Sequence, residues 1–130
     1  MKYEDIINDY ISRLPLDVEP RGLYEPIRYV LSLGGKRIRP VLMMKAYEMW
    51  SEDGRDVLQQ AVALETYHNF TLLHDDVMDH ADVRRGKPTV HRKWNENTAI
   101  LSGDNMLLLA VKWMGEKCME TFIKAAIEIN

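Results

Sequence analysis

Asp75, Asp76 and Asp79, in the run DDVMD, place three carboxylates at i, i+1 and i+4. On a helix that spacing crowds them onto one side of a single turn, where they repel unless a cation sits among them. Arg84 and Arg85 follow in HADVRRGKPTVH, a stretch short enough to fold back over the same place. Carboxylate oxygens hold Mg²⁺, the metal holds phosphate oxygens, and guanidinium groups take the remaining charge. These residue types at this spacing point to a metal-bridged phosphate site. For an isolated DxxD the plainer reading is a solvated acidic helix end, so the surrounding chain has to decide.

A second charged element, GGKRIRP at 34–40, sets Lys36, Arg37 and Arg39 ahead of a helix N-terminus, with two glycines that let a ligand approach the backbone. Alone, it reads equally as a helix cap followed by a basic turn. Combined with DDVMD and RRGK, it gives two cationic clusters and one acidic cluster. That set suits two phosphorylated ligands, one bound through metal and one held by arginine and lysine.

The elements that must position these residues read as helices. Apolar residues recur at helical spacing over 3–14, and Pro15 and Pro20 end that helix. A second helix over 24–33 stops at Gly34-Gly35, and a third over 40–50 starts on Pro40. SEDG at 51–54 breaks it, and residues 56–79 are nearly unbroken helix former. The acidic triplet therefore falls at a helix C-terminus, where the dipole disfavours negative charge and a compensating cation is implied. Residues 80–90 read as a loop, helix resumes near His91, and 104–129 reads as one further helix, apolar around most of its circumference. No segment alternates with period two, so the expected fold class is all-α. The all-round apolar helix predicts that a second copy or another chain covers it.

At 130 residues, 46% apolar and 28% charged, the chain fits one globular domain over 1–130. A net charge of −3 argues against a general nucleic-acid binder. The lone Cys118 cannot form an internal disulfide and reads as a small buried hydrophobe. MKYEDIINDY is too polar for a signal-peptide core, and no apolar run approaches the ~20 residues that span a bilayer. The sequence reads as cytoplasmic.

With GGKRIRP (34–40), ETYHNFTLLHDDVMDHADVRRGKPTVH (65–91) and NTAILSGDNMLL (97–108) in this order, the chain resembles the trans-isoprenyl diphosphate synthases, which include the farnesyl and geranylgeranyl diphosphate synthases. The resemblance implies the N-terminal half of an isoprenoid-synthase-type helical bundle. It implies that Asp75, Asp76 and Asp79 bind Mg²⁺ bridging an allylic diphosphate, which Arg84 also contacts. Lys36, Arg39, His68 and Arg85 correspond to the pocket for isopentenyl diphosphate, and Arg37, between the two matching cations, is expected to face solvent. Asp104 matches a family position in the GD turn; the plainer reading is that it caps its helix or anchors a neighbouring cation. Phe70 and Thr71, with Tyr67 one turn earlier, correspond to the wall that limits product length. An aromatic followed by a small residue resembles the geranylgeranyl type more than the farnesyl type.

The family pattern is close to twice this length, and its second aspartate-rich motif has no counterpart here; residues 105–130 contain no aspartate. The expectation is a prenyltransferase fragment or subunit, completed by self-association or by a complementary chain. One alternative is a prenyl-diphosphate-binding or partner subunit without catalysis. A more remote one starts from His74-Asp75, with His68 and His80 nearby, which resembles the HD-type metal phosphohydrolases. That reading leaves GGKRIRP and RRGKPTVH without a purpose.

Overall fold

The computed structural model describes residues 2–129. Helix α1 (Tyr3–Ser12) buries Ile7 and Ile11 and ends ahead of Pro15, with Leu14 and Leu16 buried in the connection that follows. Helix α2 (Arg21–Ser32) starts three residues earlier than the spacing predicts, directly after Pro20. It stops where Gly34 and Gly35 turn the backbone to φ 83° and 125°. Helix α3 (Ile38–Glu48) begins two residues before Pro40. Pro40 still lies in the first turn, whose N–H groups have no helical partner to lose. A 3-10 turn, Gly54–Val57, follows the expected break and is capped by the Asp53 carboxylate, which accepts the Arg55 N–H at 2.9 Å.

Helix α4 (Leu58–Met78) is the central element. Ala61, Val62 and Ala63 are consecutive and all fully buried, so this helix is covered on all sides in its first half. Ala61, Val62 and Leu73 belong to the larger core with α1, α2 and α3, whereas Ala63 and Tyr67 belong to a smaller one. A helix with two buried faces shows no single apolar stripe in its sequence. Its C-terminus carries the acidic triplet.

The expected loop after α4 contains a small hairpin. Strand β1 (Val83–Arg84) pairs antiparallel with β2 (Lys87–Pro88), Arg84 facing Lys87. Arg85 and Gly86 between them have φ 51° and 78°, the two left-handed positions a tight type I′ connection requires. These two-residue strands are the only sheet among the described residues, and the fold class is all-α as expected.

A short helix α5 (Val90–Lys93) leads to α6 (Glu96–Met114), which begins well before residue 104 because Asn95 caps it, accepting the Thr98 N–H at 2.7 Å. The single helix expected over 104–129 is divided. Gly115, at φ 80°, ends α6, and α7 (Glu116–Ile129) turns back so that Phe122 packs edge-on against Tyr67 of α4, ring centres 5.3 Å apart. Glycine within a helix costs about 1 kcal/mol relative to alanine. Burying a phenylalanine contributes about 2 kcal/mol, which favours the break. Cys118 is half-buried beside this smaller core. On the outer side of α6, Leu101 and Leu108 remain 58% and 67% exposed, so the helix is not apolar-buried all round as the sequence suggested. Among the described residues no helix is long and apolar enough to cross a membrane.

Candidate functional site

The end of α4 splits its three carboxylates. Asp75 and Asp79, one turn apart, are exposed; Asp76 is 7% exposed and turned toward the hairpin. Arg84 grips Asp76 in a two-pronged pair, Nε donating to Oδ2 at 2.7 Å and Nη2 to Oδ1 at 2.8 Å. That hydrogen bond pushes the Arg84 guanidinium up from its ordinary range, against an opposing effect of burial. The hairpin thus lays its first arginine beside the acidic turn. Asp76 is occupied by protein, and the other two carboxylates are not turned inward with it.

Among the described residues no three or more histidine, cysteine or carboxylate side chains are gathered closely enough to hold a metal ion. Asp75 and Asp79, two outward carboxylates one turn apart, are oxygen donors of the kind Mg²⁺ takes. Mg²⁺ takes one or two carboxylates and fills its octahedron with water and substrate phosphate, whereas transition metals favour preformed imidazole sets. The histidines weighed for the phosphohydrolase alternative do not converge. His74 Nε2 lies 3.1 Å from the Ile100 carbonyl and 3.7 Å from Asp104 on α6, while His80 is exposed at the turn after α4. Asp104 is therefore not a helix cap; it sits inside α6 facing His74, the residue before Asp75. A Cβ at Gly103 beside it would run into the His74 ring, which would have to shift.

The cationic residues form the other wall. Arg39, at the start of α3, places Nη1 3.2 Å from His68 Nε2 on α4. A guanidinium only donates, so Nε2 accepts and His68 is neutral with its proton on Nδ1. Burial first, and the charge of Arg39 second, push the His68 imidazole below its ordinary value. Arg85, at the hairpin tip, donates from Nη1 to Asn69 Oδ1 at 3.4 Å. It lies over Gly35 so closely that a Cβ at Gly35 would come within 3.0 Å of Cζ. Burial lowers the Arg85 guanidinium from its usual range, Glu65 works against that, and Arg37 adds to it. Lys36 is exposed in the same loop.

Arg37 corrects the expectation that it faces solvent. It is 3% exposed, with Nη1 on Glu65 Oε2 at 2.8 Å, Nε on Asn8 Oδ1 at 2.9 Å and Nη2 on the Leu31 carbonyl at 2.6 Å. Its backbone is left-handed, φ 53°, which points the side chain inward between two outward neighbours. No periodicity marks that reversal in the sequence. Glu65, its partner, was missed for the same reason, since a glutamate inside a helix ordinarily reads as solvated.

Beside Arg39, His68 and Asp75 lies a cavity of about 390 Å³, whose lining does not include Lys36, Asp76, Asp79, Arg84 or Arg85. Arg39, His68 and Asp75 line it together with Tyr67, Thr71 and Leu72 of α4 and Phe122, Ala126 and Ile129 of α7. Thr71 and Tyr67 lie one and two turns behind Asp75, about 6 and 12 Å along the helix axis. Of the three residues expected to form a wall, Tyr67 and Thr71 line this cavity. Phe70 does not: its ring is packed between Tyr67 and His74, with ring centres 5.6 and 4.9 Å away.

Residues 20–130 match the polyprenyl synthetase family model. The chain is 44% identical over 119 residues to the geranylgeranyl diphosphate synthase of Methanosarcina mazei, covering 85% of this chain and 37% of that protein. It is 42% identical over 118 residues to geranylgeranyl pyrophosphate synthase 11, chloroplastic, of Arabidopsis thaliana, covering 85% of this chain and 33% of that one. Among solved structures, the geranylgeranyl pyrophosphate synthetase of Pyrococcus horikoshii superposes with a TM-score of 0.85 at 35% identity, over 97% of this chain and 40% of the other. An isoprenoid synthase family member from Thermotoga neapolitana gives 0.87 at 33% identity, over 95% and 51%. The chain thus spans about a third of the length of the curated relatives it matches. It belongs to the polyprenyl synthetase family.

Proposed function

We propose that this member of the polyprenyl synthetase family serves a prenyltransferase that joins isopentenyl diphosphate to an allylic diphosphate, giving a short polyprenyl diphosphate of geranylgeranyl or farnesyl type. The observation that carries the proposal is the shared cavity: Asp75, Arg39 and His68 line it together with the apolar Leu64, Tyr67, Leu72 and Phe122. A charged head and a hydrocarbon tail would each meet a matching surface.

In this reading Asp75 and Asp79 would hold Mg²⁺, which would supply positive charge for the departing diphosphate. Asp76 aims Arg84 at the same diphosphate through its two-pronged pair. Lys36, Arg39, His68 and Arg85 bind the isopentenyl diphosphate. The allylic C–O bond breaks with its electron pair going to the leaving diphosphate. The isopentenyl double bond attacks the allylic carbon, and the resulting cation loses a proton to that diphosphate. Leu64, Tyr67, Leu72 and Phe122 keep water from the carbocation, since these apolar side chains line the same cavity. Tyr67 and Thr71 would limit the growing chain, with Phe70 acting through Tyr67.

The proposal includes Mg²⁺ as cofactor, a cytoplasmic location, and a second copy or complementary chain over the exposed Leu101 and Leu108. Binding without turnover is a second reading, favoured by the fact that only Asp75 and Asp79 of the acidic triplet face outward. Incubating the purified chain with isopentenyl diphosphate, Mg²⁺ and dimethylallyl, geranyl or farnesyl diphosphate separates the readings. Condensed product supports the transferase. Diphosphate binding without product, in a folded sample, supports the second, and absence of both contradicts the proposal.

A further inference from the structure

Behind the cationic wall stands one buried carboxylate, Glu65, 3% exposed. The guanidinium it holds, Arg37, also reaches Asn8 of α1 and the Leu31 carbonyl of α2, so three helices meet at a single cation just ahead of α3. Lys36 and Arg39 flank Arg37 and are exposed where it is buried. Asn69, which accepts from Arg85, donates its own Nδ2 to the Glu65 carbonyl at 2.9 Å. Arg85 in turn rests on Gly35 of the loop that Arg37 anchors. The charge of Glu65 reaches both Arg85 and His68, opposing the effect of their burial. Lys36, Arg37, Arg39 and Arg85 would otherwise repel one another, and a loop with two glycines has little stiffness of its own to resist that.

We propose that Glu65 is a positioning residue for diphosphate recognition. Its carboxylate draws Arg37 inward and so sets Lys36 and Arg39 to face the ligand, with Arg85 held beside them. The inference rests on reading this wall as the isopentenyl diphosphate pocket and adds what arranges it. The sign of its effect distinguishes it from a bystander charge. An anion near a phosphate site weakens binding by repulsion, so deleting a bystander would tighten it. Deleting a positioning residue loosens it.

The test is calorimetric titration of the chain with isopentenyl diphosphate, wild type against Glu65→Gln. Circular dichroism and a thermal melt establish that each sample is folded at the titration temperature. Glu65→Gln is expected to weaken affinity by about tenfold, the scale on which partners of ligating groups act. In a Lys36→Ala background the same change is expected to cost much less, because part of what Glu65 positions is already gone. Arg37→Lys, which keeps the charge but loses the fork, is expected to weaken binding in the same direction and serves if the glutamine variant unfolds. Unchanged or tighter binding, or an equal loss in both backgrounds, overturns the proposal. So does unfolding of both variants, which would make the pair a folding element alone. A wild-type chain that binds no isopentenyl diphosphate overturns instead the reading of the pocket itself.

Discussion

Asp75 and Asp79 stand exposed at the end of α4, whereas Arg37 and Glu65 are each 3% exposed, paired with one another, with Arg37 also bonded to α1 and α2. Both regions carry clustered like charge, and each handles repulsion differently. The acidic turn commits one carboxylate to Arg84 and leaves two exposed. The cationic wall is braced from behind by protein groups before any ligand arrives. Exposed like charges in water repel by about 1 kcal/mol at contact distances, a cost the surface tolerates. A loop that must hold several cations toward one ligand needs a counter-charge inside.

The largest effect is expected where the brace is cut. Arg37→Met leaves Glu65 buried without its partner and should lower unfolding free energy by about 3–5 kcal/mol in urea melts. A loss under about 1 kcal/mol would show that the wall is not braced in this way. Next comes the acidic side: Asp75→Ala should weaken Mg²⁺-dependent binding of dimethylallyl diphosphate by about a hundredfold, roughly 2.8 kcal/mol, with the melting temperature unchanged. An unaltered affinity in calorimetry would remove Asp75 from the metal site. Gly103→Ala should cost about 1–3 kcal/mol of stability by displacing the His74 ring, since a Cβ has no room there. Asn95→Ala should cost about 1 kcal/mol by uncapping α6, read from the same melts.

The smallest effect concerns pH. His68 is held below its unfolded value of about 6.5, chiefly by burial, so the folded chain resists protonating it. The unfolded chain then binds more protons below that value, and stability falls as pH drops from above 6.5 toward the lowered folded value. His68→Gln should flatten that part of the stability profile. An identical slope in the variant would place the titration elsewhere.

Much of this comparison was legible in the residues. The acidic triplet, the two cationic clusters and their attachment to helices follow from spacing and caps, because exposed charges declare themselves by type. What escaped was set by tertiary contacts. Arg37 turns inward through a left-handed backbone that the string GGKRIRP does not announce, and Glu65 is buried as its partner. Gly115 breaks a pattern that local preference would continue, because α7 gains more by packing Phe122 on Tyr67. The hairpin at 83–88 reads as loop in the sequence, although Arg85-Gly86 carries the glycine such turns need, since arginine rarely occupies the first left-handed position.

The most direct measurement is a calorimetric titration of the unaltered chain with isopentenyl diphosphate and with dimethylallyl diphosphate, each with and without Mg²⁺. If the cationic wall is braced in advance and the acidic turn is completed by metal, isopentenyl diphosphate binds equally well in both conditions and dimethylallyl diphosphate binds only with Mg²⁺. Equal Mg²⁺ dependence for the two ligands, or none for either, would contradict the account.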